Sequence, residues 1–340
     1  MTSTVLHSSR RIFLTHSAAA AASVVCLGMS GLAAAAPSRG TAAAPMLKIR
    51  FPAGDSFVVG NLHLPDGYDP SVRYPAVVVG GSLTAVKEMM GGIYAAAMAQ
   101  RGYLALALDY RNYGESGGRA RQYEEPASKA EDLVAAVSYL ASRPDVREGG
   151  IGLVGVCTSG GTVLYAAARD ARVAAVASVA GHLAEPAITP MLYGGTEGVA
   201  QRRTAGRAAR AEYERTGQNR TILAYHNTDQ SASHVGPMEY YMDKTRGGGV
   251  AEWENAFAVM SWEPWLDFDP VREAAKVTAP TLIVHSDGCA LPDQARKVHS
   301  LLQGPKKLHW TNGDHFDFYD GVKVPEAADA IARYLGQHLA

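Results

Sequence analysis

One of the three cysteines in the chain stands where an apolar run gives way to a helical pattern. The segment IGLVGVCTSGG (151–161) places Cys157 between Gly155 and the small pair Ser159 and Gly160. A sharp strand-to-helix turn needs small neighbours, and the N-terminus of the following helix stabilises a thiolate. The pattern therefore predicts a nucleophilic thiol with a lowered pKa. A buried core cysteine is the alternative interpretation.

Two more segments extend this pattern. LALDYRNYGESGG (106–118) resembles the D-x-R-G-x-G-x-S-G segment after the fourth strand of α/β hydrolases, with Asn112 replacing a glycine. PAVVVGGSLTAVKEMM (75–90) resembles the third strand and oxyanion loop of the dienelactone-hydrolase-like branch. Together with the turn around Cys157, they identify a resemblance to the α/β-hydrolase superfamily over residues 46–182 and 270–338. Ser159 departs from that pattern, because a glycine usually closes the turn.

The resemblance implies a triad in the chain order nucleophile, acid, histidine. Asp287 follows the apolar run PTLIVHS, and His315 follows the next run, KKLHWT. His315 would then accept the thiol proton, and Asp287 would hold the imidazole tautomer. Asp293 in the same loop is the alternative acid. Many members of the superfamily carry the acid two residues beyond Asp287, where this chain has Cys289.

The resemblance also implies an oxyanion hole. Its donors would be the backbone N–H of Thr158 and a second N–H from Ser82 or Leu83. Glu88 matches a glutamate that dienelactone hydrolases keep near the resting thiol, although a surface charge at the start of a helix explains it equally well.

These residues predict a hydrolase that attacks an ester, lactone or thioester carbonyl through a cysteine acyl-enzyme. An acyltransferase that uses the same intermediate remains an alternative, as does a non-catalytic binding protein on the same fold. The expected partner is a small-molecule acyl substrate, and no cofactor is expected.

Eight short apolar runs rich in β-branched residues alternate with helical patterns along the chain. In the helical stretch 126–142, for example, Ala130, Leu133 and Val137 share one face. The alternation predicts an α/β-hydrolase domain over 46–338, with a mostly parallel eight-stranded sheet covered by helices on both faces. Because their connection is short, the first two strands are expected to pair antiparallel at one edge.

A long insertion, 182–277, interrupts this alternation and is expected to be a helical or irregular lid. It carries a basic, alanine-rich helix candidate at 201–214. Several aromatic residues are expected either to roof a pocket or to form the core of the lid: Tyr193, Tyr213, Tyr240, Tyr241, Trp253, Trp262 and Trp265.

Composition excludes several classes of function. The 340 residues include 32 Lys and Arg against 33 Asp and Glu, which gives a net charge of −1 and no basic excess for nucleic acid. The sequence contains neither a CxxC nor an HExxH motif, so no metal site is predicted.

The first 36 residues have the pattern of an export signal. Arg10 and Arg11 precede an uncharged, alanine-rich apolar run that extends from Ile12 to Ala36. The run resembles a cleaved twin-arginine signal, and an uncleaved membrane anchor is the alternative. Cleavage predicts an exported protein without stable membrane association, in which Cys157 and Cys289 stay unjoined in the active protein.

Overall fold

A computed structural model describes residues 45–339, so the proposed export signal at 1–36 lies outside the described part. Its main sheet has eight strands: β1 (Met46–Ala53), β2 (Ser56–His63), β3 (Tyr74–Gly80), β4 (Leu104–Asp109), β5 (Val146–Val156), β6 (Ala175–Val179), β7 (Thr281–Gly288) and β8 (Lys306–Asp314). The spatial order is β1-β2-β4-β3-β5-β6-β7-β8. The β1–β2 and β2–β4 pairs are antiparallel, and the others are parallel. The predicted α/β-hydrolase architecture is confirmed.

Side chains that alternate along each strand build two cores, one on each face of the sheet. Val77 and Val79 join the core with α1 (Met90–Ala99) and α10 (Lys323–Leu335). The opposite core contains Val78 and receives α2 (Pro126–Ala141), α3 (Thr158–Ala167) and α9 (Pro292–Leu301). A parallel sheet requires this double cover, since both of its faces are apolar.

The insertion between β6 and β7 holds five helices: α4 (Thr189–Leu192), α5 (Gly195–Thr216), α6 (Glu239–Met242), α7 (Trp262–Leu266) and α8 (Pro270–Ala274). Helix α5 is longer than the predicted 201–214, and it ends at Gly217 in the left-handed conformation, with φ of 73°. Within the insertion, Gly206 allows α5 to approach α7, because a Cβ there would lie 3.2 Å from that of Trp262. No helix in the described range 45–339 is long and apolar enough to cross a bilayer.

Candidate active site

Cys157 occupies a strained turn between β5 and α3. Its φ of 57° and ψ of −117° are rare for a residue with a side chain. Two glycines make the turn possible, because a Cβ on Gly155 would lie 2.0 Å from the carbonyl oxygen of Ser159, and one on Gly160 would lie 2.5 Å from Ser178 Oγ. The strand, the turn and the helix thus have the geometry of a nucleophile elbow.

Ser159 replaces the usual glycine without disrupting the turn. Its Oγ lies 2.7 Å from Tyr110 Oη and also donates to the carbonyl oxygen of Gly81. The side chain uses room that Gly80 leaves, since a Cβ at Gly80 would lie 2.8 Å from Ser159 Oγ. Ser159, which departs from the sequence pattern, therefore links α3 to the loop after β3 by a hydrogen bond.

The thiol faces a cavity of about 360 Å³. The predicted residues Cys157, Thr158, Leu83 and His315 all line it. The rest of the lining is mainly aromatic and apolar: His182, Tyr225, His234, Pro237, Met238, Tyr241, Trp265, Gly288, Cys289, Ala290, Phe316 and Tyr319. The expected aromatic roof thus includes Tyr241 and Trp265 among the residues at the cavity.

Burial controls the state of the Cys157 thiol. Only 8% of the residue is exposed, and this burial raises its pKa to about 11, although the Tyr319 hydroxyl and the Thr158 N–H oppose the rise. The expectation of a lowered pKa is therefore wrong, because the loss of solvation outweighs the helix N-terminus. At neutral pH the site holds a neutral thiol.

His315 begins a short 3₁₀ helix, His315–Phe318, directly after β8. Its Nε2 lies 3.1 Å from the hydroxyl of Tyr319, which in turn interacts with the Cys157 thiol. The backbone N–H of Ala290 donates to Nδ1 at 3.3 Å. Burial, and to a lesser degree the charges of neighbouring histidines, lowers the pKa of His315 to about 3. The structure therefore joins His315 to Cys157 through the Tyr319 hydroxyl.

Tyr319 was not among the predicted site residues, although its closeness to His315 in sequence was an available signal. Tyr319 directly follows the 3₁₀ helix that His315 begins, which keeps the two side chains within hydrogen-bond distance. Tyr225 was also missed, because nothing in the sequence of the insertion indicates which of its aromatic residues reach the thiol.

The structure does not bring Asp287 to His315. The Asp287 side chain is 73% exposed, and its carboxylate accepts from Arg296 at 2.6 Å and from Trp310 Nε1 at 3.3 Å. Asp293 is 96% exposed and also pairs with Arg296. No carboxylate within residues 45–339 hydrogen-bonds to His315. At the position where many relatives carry the acid, Cys289 lines the cavity instead, and its Sγ accepts from Ser286 Oγ at 3.2 Å.

The insertion holds the oxyanion loop by three hydrogen bonds. The hydroxyl of Tyr241 lies 2.6 Å from Ser82 Oγ, and that of Tyr225 donates to the Leu83 carbonyl at 2.8 Å. Trp253 Nε1 donates to Thr84 Oγ1 at 3.3 Å. Ser82 is fully buried and does not line the cavity, whereas Leu83 does. Leu83 is thus the better placed of the two predicted donors.

Glu88 points to its neighbour Lys87 and not into the cavity. Its carboxylate lies 2.8 Å from Lys87 Nζ, which also reaches Asp109 at 2.9 Å and Glu115 at 2.7 Å. The expected position of Glu88 beside the thiol is therefore corrected. The buried Lys87 instead ties the end of the oxyanion loop to the residues that follow β4.

Within the described range, no cluster of three or more His, Cys, Asp or Glu side chains is arranged to hold a metal ion. Cys157 and Cys289 are both free thiols. The cavity is thus lined by two thiols, by the imidazoles of His182, His234 and His315, and by the hydroxyls of Thr158 and three tyrosines.

Comparisons with known proteins agree with this fold. The profile of the X-Pro dipeptidyl-peptidase (S15) family matches residues 34–317. The uncharacterized protein PA2218 of Pseudomonas aeruginosa is 29% identical over 78% of this chain and 74% of its own length. Its crystal structure covers 88% of this chain and 95% of its own, with 25% identity and a TM-score of 0.76. A protein named thiohydrolase from Eupenicillium brefeldianum is 26% identical over 77% of this chain and 86% of its own length.

Proposed function

This chain belongs to the X-Pro dipeptidyl-peptidase (S15) family and is a hydrolase of the α/β-hydrolase superfamily, and on that premise we propose that it cleaves an ester, lactone or thioester through a Cys157 acyl-enzyme. The observation that carries the proposal is the thiol in a strained elbow, facing a cavity that also contains His315 and Tyr319. Similarity to the thiohydrolase supports a thioester as the substrate. The sequence motifs favour the dienelactone-hydrolase-like branch, with cysteine at the elbow.

The cavity lining favours an acyl substrate over a peptide with a free amino terminus. A peptide ammonium needs a carboxylate or a set of aligned carbonyl groups to replace its water shell. None of the sixteen lining residues is Asp or Glu. A neutral, largely apolar acyl group therefore fits these side chains better than a dipeptide does.

The proposed acylation begins when Cys157 Sγ forms a bond to the carbonyl carbon. The carbonyl oxygen becomes an oxyanion and accepts hydrogen bonds from the N–H groups of Thr158 and Leu83. The thiol proton moves to the Tyr319 hydroxyl while that hydroxyl gives its own proton to His315 Nε2. The tetrahedral intermediate then collapses, and the leaving group departs with the proton from His315. Water repeats the sequence on the acyl-enzyme and releases the acid.

His315 must become more basic during this step. Its pKa of about 3 reflects burial in a cavity that contains no carboxylate among its lining residues. An oxyanion that develops nearby favours the imidazolium and raises that pKa. Proton acceptance at Nε2 also requires the tautomer with the proton on Nδ1, so the 3.3 Å contact from Ala290 must be given up. A neutral hydrogen bond contributes about 1 kcal/mol net, so this cost is small beside a catalytic barrier.

Intact-mass analysis after incubation with a panel of acyl thioesters and activated esters tests the proposal. We expect a single acyl adduct on the wild type and on Cys289→Ala, which serves as the matched control from the same cavity. Cys157→Ala should form none. An adduct that persists in Cys157→Ala would contradict the mechanism. Decay of the adduct in water indicates a hydrolase, and decay only with an added alcohol or amine indicates an acyltransferase.

A non-catalytic binding protein is the second candidate, and three features of the site favour it. The thiol is neutral, the imidazole is weakly basic, and His315 has no carboxylate partner among residues 45–339. The same experiment decides between the two. If no variant forms an adduct while the cavity still binds the intact esters, the binding protein is supported.

We also propose that residues 1–36 export the protein, which then has no stable association with membranes or nucleic acid. Replacement of Arg10 and Arg11 by lysine should retain the precursor inside the cell if the signal is of the twin-arginine type. Processing and export that continue unchanged would contradict this assignment.

A further inference from the structure

A second, polar cleft of about 630 Å³ adjoins the active-site cavity. All of its lining residues belong to the insertion. Three of them, His182, His234 and Met238, also line the cavity at Cys157. The two spaces are therefore neighbours, with these three side chains between them.

Arg202 supplies a positive charge to the cleft. Its Nη1 donates to the carbonyl oxygens of Tyr193 at 3.1 Å and Gly198 at 3.2 Å. The guanidinium carbon lies 5.1 Å from the ring centre of Trp262, and the buried Nε has no hydrogen-bond partner. These contacts fix the position of the group while they leave its charge without a counterion.

The other arginines along the same helix show what is unusual about Arg202. Arg203 lies 2.5 Å from Asp267, and Arg207 and Arg210 reach Glu263 at 3.4 and 2.9 Å. Arg202, which lines the cleft, forms no ion pair with any carboxylate in the described part of the chain. Arg215, which is exposed in the last turn of the helix, has no ion pair within residues 45–339 either, so Arg202 is the unpaired arginine of α5 that lines the cleft.

The remaining groups at the cleft do not neutralise this charge. Burial lowers the pKa of His182 to about 4 and that of His234 to about 3, so both are neutral at neutral pH. Glu197 also lines the cleft, but it is exposed, forms no ion pair with Arg202, and accepts a hydrogen bond from Gln201 at 3.2 Å. A partly desolvated guanidinium without a counterion is stabilised when an anion binds, and its planar donors suit a carboxylate or phosphate.

We propose that this cleft binds an anionic group on the part of the substrate that lies beyond the reacting carbonyl, with Arg202 as its anchor. That the anionic group belongs to a substrate rests on the proposed function, whereas the binding of an anion in the cleft does not. Arg202 is a specificity-determining residue in this arrangement, since it acts away from the reacting atoms. A carboxylate and a phosphate share the chemistry that Arg202 recognises, so the test has one arm for each.

Isothermal titration of the full chain measures binding without any need for turnover. The probes are glutarate, methyl phosphate and the neutral glutaramide, each added to the wild type, Arg202→Gln and Arg203→Gln. Arg203→Gln is the matched control, because it removes a charge from the same helix outside the cleft. We expect at least one anion to bind the wild type, with a Kd that rises tenfold or more in Arg202→Gln and changes less than twofold in Arg203→Gln. Glutaramide should not bind.

Comparison of the two anions then identifies the preferred group. Arg202→Lys, which keeps the charge, should retain binding within about fivefold of the wild type and guards against a folding defect in Arg202→Gln. If neither anion binds, or if Arg202→Gln binds as tightly as the wild type, Arg202 is a structural arginine and the inference is overturned. That result leaves acylation of Cys157 untouched, so the two proposals fail separately.

Discussion

The reaction of Cys157 with iodoacetamide depends on the thiolate, so its pH dependence reports the pKa directly. A pKa of about 11, against 9.0 for an unperturbed thiol, makes the thiolate about 100-fold scarcer at neutral pH. Only about one molecule in ten thousand is then ionised at pH 7. We expect Cys157 to react about 10- to 100-fold more slowly than an unperturbed thiol at pH 7, because the higher nucleophilicity of its thiolate offsets part of its scarcity. The rate should rise about tenfold per pH unit toward pH 11.

The assay follows alkylation by mass spectrometry in the Cys289→Ala variant. Burial also raises the pKa of Cys289 to about 11, so the pH dependence alone would not distinguish the two thiols. Tyr319→Phe should slow the reaction further, since the Tyr319 hydroxyl holds the Cys157 pKa down. His315→Ala should change the rate little, since His315 is not among the groups that shift the pKa of Cys157. A rate that levels off near pH 7 and falls in His315→Ala would refute this reasoning, because it would show a thiolate–imidazolium pair.

Three other predictions concern the same site. Ser159→Gly should lower the free energy of unfolding by about 1–3 kcal/mol in denaturant titrations, although it restores the expected glycine, because the buried Tyr110 hydroxyl loses its partner. Tyr241→Phe should reduce kcat about tenfold and change KM less than threefold, because the loop that contains Ser82 loses its hydrogen bond to Tyr241. A change in KM alone would instead show that Tyr241 contacts the substrate. As the pH is lowered from 6.5 toward 3, the free energy of unfolding should decrease, because His234, with its pKa of about 3, takes up a proton in the unfolded chain before it does so in the folded one. Each such histidine contributes up to about 1.4 kcal/mol per pH unit. His234→Gln should therefore reduce the slope of the free energy against pH by about one proton.

The sequence predicted the sheet well, because its central strands are apolar and, from β3 onward, a helix or the insertion separates each strand from the next. The run VVV (77–79) illustrates the reason, since side chains on both of its faces are buried, as a central strand of a parallel sheet requires. The insertion was predicted only as a unit. Its contacts include the stacked rings of Tyr225 and Tyr241, whose centres are 3.7 Å apart. These residues are 16 positions apart in the sequence, and no periodic pattern relates them.

The site was predicted in part, and the pattern of success has a physical cause. Cys157 was found because the strained turn restricts its neighbours to small residues, which leaves a mark in the sequence. The prediction that Asp287 contacts His315 was wrong, because the local sequence of a loop aspartate does not indicate whether its side chain faces solvent or an imidazole. The pKa of Cys157 was misjudged for a related reason: burial by a distant insertion leaves no local signal.

The arrangement of hydroxyls explains how a site without a carboxylate on His315 can still be ordered. Tyr319 joins the imidazole to the thiol, and Tyr241 holds the oxyanion loop through Ser82. Both hydroxyls are neutral donors and acceptors, so they organise the site without adding charge to a cavity whose burial already keeps Cys157 and His315 uncharged. In the proposed mechanism, charge appears only when the thiol attacks a carbonyl, and the backbone N–H groups of Thr158 and Leu83 then stabilise the oxyanion.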